Sequence, residues 1–108
     1  MDVFALPDVA ECLGVGVTRV NQMVRDGQLV AVTEGSGPRV VPTLFIQDGT
    51  VVKHLPSVIT VLRDAHFSDE EIVDWLYRVD DSLAGPPIVA LRENRSREVK
   101  RRAQVAGY

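Results

Sequence analysis

Apolar positions along the chain keep a helical spacing at both ends and form a β-type run between them. In "LPDVAECLG", Val9, Ala10 and Leu13 recur three and four residues apart, Pro7 suits a first helical turn and Gly14 supplies a stop. This predicts a short helix with Cys12 as a small core residue on its buried side. After Val15 and Gly16, the segment Val17 to Asp26 resumes the helical period, with Val20, Met23 and Val24 on one face and Gly27 as a left-handed cap. A second helix is therefore expected one tight turn after the first. In "LVAVTEGSGPRVVP", Leu29 to Thr33 and Arg39 to Val41 are strand-like around "EGSGP", a cluster of turn formers. "LFIQDGTVVK" then sets Asp48-Gly49 between two apolar runs, which predicts a second hairpin, with a short helical turn at "PTLF" as the alternative.

The second half returns to helix. Val58, Ile59, Val61 and Leu62 form one stripe, and Ser68 with Glu71 makes a capping box for "DEEIVDWLYR". "VDDSLAGPP" interrupts the pattern, Pro87 can open a short helix "PIVALRE", and Ser96 can cap a last one with Val99, Ala103 and Val105 or Ala106 inward. The expected fold is mostly α with a small β-hairpin wing: a winged helix-turn-helix over residues 1–53, followed by a C-terminal helical region, 54–108, packed on it as one folding unit. A chain of 108 residues fits that size.

Chemistry concentrates on the second helix. Thr18, Gln22 and Arg25 lie at i, i+4 and i+7, with Arg19 and Asn21 beside them, opposite the apolar face. Arg can hold guanine with two bonds, Asn or Gln can hold adenine with two, and Thr serves either, so this face suits a major groove. Any short surface helix has a polar face. What raises this one above a merely solvated surface is the order of helix, tight turn, helix and hairpin around it. Arg39, at the end of the "EGSGP" loop, is positioned for a minor groove or a phosphate.

Charge changes the picture in one respect. The net charge of −3 argues against a protein that coats nucleic acid by bulk electrostatics. Yet residues 92–102 carry six basic side chains against Glu93 and Glu98. Arg95, Arg97, Lys100, Arg101 and Arg102 are thus candidates for extra phosphate contacts, with a solvated terminal helix as the plain alternative.

Other classes find little support. His54 and His66 lie apart with no cysteine pair, so no metal site is expected, and "GVG" lacks the third glycine and preceding strand of a dinucleotide fingerprint. No Ser or Cys stands in a nucleophile motif, so neither an enzyme nor a bound cofactor is expected. Trp75, within an amphipathic helix, is a core residue. No apolar run approaches the roughly 20 residues of a membrane span, and "MDVFALPDVAECLG" has no signal-peptide character, which suggests the cytoplasm.

In "LPDVAECLGVGVTRVNQMVRDGQLVAV" followed by "VVP", the chain resembles the helix-turn-helix of MerR-like and excisionase-like proteins. Continued through "VVKHLPSVITVLRDAHFSDEEIVDWLY" and "REVKRRAQVAGY", it is similar to an actinobacterial family of small winged helix-turn-helix DNA-binding proteins. That resemblance implies double-stranded DNA as partner, and a transcriptional regulator is the leading function; a lone reading head of this size seldom gives high specificity, so tandem sites or a homodimer would help. The resemblance also implies a Ser/Thr protein kinase as partner, because the mycobacterial member is a substrate of one. The kinase-modified threonine of that member lies in an N-terminal tail with no counterpart here, where Phe4 already stands at the start of the motif. A fainter likeness of "DWLYRVDDSLAGPPIVAL" to toxin-binding domains of antitoxins makes Trp75, Leu83 and Leu91 structural. It also leaves an alternative function, an antitoxin-like or adaptor module with weak DNA binding.

Overall fold

The computed structural model describes residues 1–107. Its N-terminal part runs β1 (Val3–Ala5), α1 (Leu6–Leu13), α2 (Val17–Arg25), β2 (Val32–Thr33) and β3 (Arg39–Pro42). A 3₁₀ turn at Thr43–Phe45 leads into a hairpin of β4 (Ile46–Gln47) and β5 (Thr50–Val51). The C-terminal part contains α3 (Leu55–Asp64), α4 (Asp69–Tyr77), a 3₁₀ turn at Asp81–Leu83, α5 (Pro87–Arg92) and α6 (Ser96–Val105).

Local signals explain most of these boundaries. Pro7 sits in the first turn of α1, and Gly14 ends the helix at φ +68°, with no atom near enough to exclude a side chain. Backbone conformation is therefore what requires glycine there. Asp48 and Gly49 both take positive φ, +53° and +76°, as a two-residue turn between β4 and β5 demands. The helical turn at "PTLF" and the hairpin are both present, one after the other.

Four features differ from the expectations. β1 has no counterpart among the predicted elements: it pairs antiparallel with β3, Phe4 opposite Val41, and completes a sheet of order β1-β3-β2. Leu29, Val30 and Ala31 are buried but lie outside the strands, where only Val32–Thr33 pairs. Cys12 is exposed. At about 100° per residue it stands roughly 110° from the centre of the stripe formed by Leu6, Val9, Ala10 and Leu13. Ser96 is the first residue of α6 rather than its cap; Arg95 holds that position, without a side-chain cap.

One core joins the two parts. Val9, Val20 and Val24 belong to the same buried cluster as Phe45, Ile59, Leu76, Ile88 and Val99, and Trp75 packs half-buried against it. Leu83 and Leu91 are in that cluster too. A polar clamp reinforces the junction: Arg92 donates from one guanidinium nitrogen to the carbonyls of Leu44 (2.9 Å) and Ile46 (2.8 Å). The Leu44 N–H in turn donates to the Tyr77 hydroxyl at 3.3 Å.

The capping box is closed in both directions. Ser68 Oγ accepts from Glu71 N–H at 3.2 Å, and Glu71 Oε1 accepts from Ser68 N–H at 2.9 Å. Those bonds hold the Glu71 carboxyl below its ordinary value. A carboxyl depressed on folding stabilises fully above its unfolded pKa, and the contribution is lost as pH falls through the folded one. Wild type should therefore lose melting temperature on acidification from pH 6 to pH 3 more steeply than Glu71→Gln, and equal slopes would refute the assignment.

Candidate nucleic-acid interface

Between α1 and α2 the chain turns in three residues. Val15 N–H reaches back to the Ala10 carbonyl at 3.0 Å, and Gly16 opens α2 with extended backbone and no side-chain cap. Burial of Val20, Met23 and Val24 against the core then fixes the rotation of α2 about its axis. Thr18, Arg19, Gln22 and Arg25 are exposed on the other side. Asn21 is half-buried at its edge, donating from Nδ2 to the Val17 carbonyl at 3.3 Å. One N–H and the side-chain carbonyl of that amide remain unused, enough for a two-bond contact.

Beyond α2, β2 and β3 pair with Thr33 opposite Arg39, and the exposed loop Glu34–Pro38 closes the hairpin through Gly37 N–H to the Glu34 carbonyl at 3.2 Å. The wing lies beside α2. Pro38 and Arg39 share with Val17, Asn21, Leu6 and Pro7 the lining of a shallow groove of about 340 Å³. Hence Arg39 and Asn21, far apart in sequence, border one surface. Two members of that surface escape sequence reasoning. Val17 is 41% exposed at the first turn of α2, where the helical pattern alone gives it no role, and Leu6 depends on β1 and α1 meeting the wing.

Arg19, Arg25 and Arg39 enter no ion pair among the described residues. The C-terminal cations divide differently. Arg95 is engaged by Glu98 at 2.8 Å and the Leu83 carbonyl at 3.1 Å, and that contact holds the Glu98 carboxyl below its ordinary value. Arg102 faces Asp80 at 3.4 Å. Arg97, Lys100 and Arg101 lie along the outer side of α6 with His54, without a carboxylate among the residues that line their groove. Among the described residues no group of His, Cys, Asp and Glu gathers with metal-binding geometry, and no helix is long and apolar enough to cross a membrane.

A helix, a glycine-bounded turn, a second helix with an uncommitted polar face and a hairpin beside it define a winged helix-turn-helix protein. Residues 1–46 match the family described as "DNA-binding protein Rv2175c, wHTH domain", and residues 52–107 match "Rv2175c C-terminal domain of unknown function". The chain belongs to the Rv2175c family. DNA-binding protein Rv2175c of Mycobacterium tuberculosis is 40% identical, in an alignment covering 97% of this chain and 80% of that protein. The NMR structure of Rv2175c superposes with a TM-score of 0.90 at 41% identity, over 99% of this chain and 82% of the other. The family is one of DNA-binding proteins, not of enzymes.

Proposed function

We propose that this chain binds double-stranded DNA in a sequence-specific manner and acts in the cytoplasm as a transcriptional regulator. The recognition helix is 17–26, entering the major groove with Thr18, Arg19, Asn21, Gln22 and Arg25. The wing, 29–41, sets Arg39 against the backbone or minor groove. One observation carries this reading: in a chain of net charge −3, Arg19 and Arg25 of α2 and Arg39 of the wing enter no ion pair among the described residues, and Arg39 borders one groove with Asn21 of α2. An acidic protein has ample carboxylates to neutralise them, so cations left uncommitted on the recognition helix and the wing fit a polyanionic partner.

A further term comes from α2 itself. Its uncapped N-terminus presents free backbone N–H groups and the positive end of the helix dipole, which suit a phosphate flanking the groove. A single head of this size contacts few base pairs, so a homodimer on paired half-sites is the expected assembly. Control by a Ser/Thr protein kinase rests on family resemblance and forms no part of this proposal.

Selection of bound duplexes from a random pool, followed by a salt series on the enriched sequence, tests the reading. The expected result is an enriched motif whose affinity falls roughly 10²-fold between 50 and 200 mM salt, as about four phosphate contacts would give. No enrichment, together with no binding to any duplex at low salt, would overturn it in favour of a protein-interaction module.

A further inference from the structure

Ser96, Arg97, Lys100, Arg101 and Gln104 recur at spacings that gather them on one side of α6, flanking the buried Val99 and Ala103. With His54, at the start of α3, they line a groove of about 490 Å³. That lies within the range of about 300–1,000 Å³ usual for small-ligand sites. Three cations thus stand within little more than one helical turn, and none enters an ion pair among the described residues. The acids nearby are committed elsewhere: Glu98 to Arg95 at 2.8 Å, though within electrostatic reach of Arg101, and Asp80 to Arg102 at 3.4 Å. Like charges three and four residues apart repel on a helix surface, so the cluster is costly without a counter-charge.

Donors dominate the rest of the lining. The Lys100 ammonium stands 3.2 Å from His54 Nδ1, which leaves the ring's Nε2 edge as the one not engaged by Lys100. His54 takes φ +70° at the N-cap position of α3. Arg97, Arg101, the Ser96 hydroxyl and the Gln104 amide complete a set able to surround oxyanion oxygens.

We propose that this groove binds a terminal phosphate, a phosphomonoester or polyphosphate of at least two negative charges, as a small-molecule ligand of the C-terminal region. A compact trio of cations matches charge concentrated on one group, whereas a DNA diester carries a single charge per phosphate. The groove also adjoins the end of α3 away from the turn that follows α2. A Cβ at Gly27, just past α2, would stand 3.1 Å from Arg63, near the C-terminus of α3, while His54 occupies the N-cap position at the opposite end.

Titration of the isotope-labelled full chain with inorganic pyrophosphate, at ionic strength fixed with sodium chloride, tests this without DNA. Its outcome is therefore independent of the duplex reading. Saturable amide shifts at residue 54 and across 96–104, with a Kd at or below about 1 mM, are expected. Lys100→Gln/Arg101→Gln should weaken pyrophosphate at least tenfold and leave the affinity for a selected duplex within twofold. Arg97→Gln alone, on an exposed side chain, should weaken pyrophosphate several-fold should the double variant melt early. Shifts that fail to saturate by about 10 mM, or that spread equally over Arg19, Arg25 and Arg39, would overturn the proposal. So would a loss of duplex affinity in step with pyrophosphate affinity, which would make the groove a DNA-backbone contact.

Discussion

Arg92→Ala is expected to destabilise the whole chain by about 2–4 kcal/mol, because two carbonyls at the junction of its two parts lose a charged donor. Hydrogen bonds to charged groups contribute about 1.5–3 kcal/mol each, and the half-buried position of Arg92 reduces the sum of two. Ile46, one of the two acceptor residues, is buried, so water cannot fully replace the lost bond. The backbone carbonyl of residue 92 also accepts from the Gln47 amide at 3.4 Å, a bond that alanine retains, so the loss is that of the guanidinium alone. Trp75 is the sole tryptophan and reports from α4, whereas far-UV circular dichroism reports on the entire backbone. Urea unfolding should shift to lower midpoint by both probes together, as one shared core requires. An early transition seen by dichroism alone, with Trp75 fluorescence unchanged, would mean that residues 1–53 and 54–107 unfold separately.

The second large effect concerns binding. Arg19→Ala and Gln22→Ala should each cost about 1–3 kcal/mol on the preferred sequence and much less on unrelated duplex, relaxing preference at the positions they read. Both are exposed on α2 and have no partner in the described hydrogen bonds and ion pairs, so stability should hardly change. Arg39→Ala should act differently, weakening all sequences alike and lowering the salt slope by about one. Equal losses on all duplexes for Arg19→Ala and Gln22→Ala would reduce those side chains to phosphate contacts.

What the sequence discloses of this fold depends on how local each signal is. Pro7, Gly14, the Ser68–Glu71 pair and Asp48-Gly49 act over four residues or fewer, and the structure has each in the role that its spacing implies. The helix-turn-helix order and the wing follow from the same short-range rules. β1 is different, since three residues carry no period and become a strand only by pairing with Val40, Val41 and Pro42. Leu29 to Ala31 mark the matching weakness: an apolar run shows burial, but whether it is paired depends on its neighbours. Cys12, expected on the buried side of α1, is exposed because the stripe of Leu6, Val9, Ala10 and Leu13 is centred elsewhere on the helix.

For the candidate site the division is similar. The outward set Thr18, Arg19, Gln22 and Arg25 follows from the burial of Val20, Met23 and Val24 on the same helix. That Arg39 borders Asn21 across a groove is a tertiary fact with no trace in local pattern. Arg95 and Arg102 read as free cations in the basic run, yet Glu98, Leu83 and Asp80 occupy them. His54 joins Lys100 only because α3 and α6 pack together.

Amide chemical-shift mapping of the labelled full chain with a selected duplex locates the DNA-binding surface residue by residue. The largest perturbations are expected at residues 17–26 and at the wing, through Arg39. Perturbations centred on 54–107, with Val17 to Asp26 unmoved, would contradict that placement.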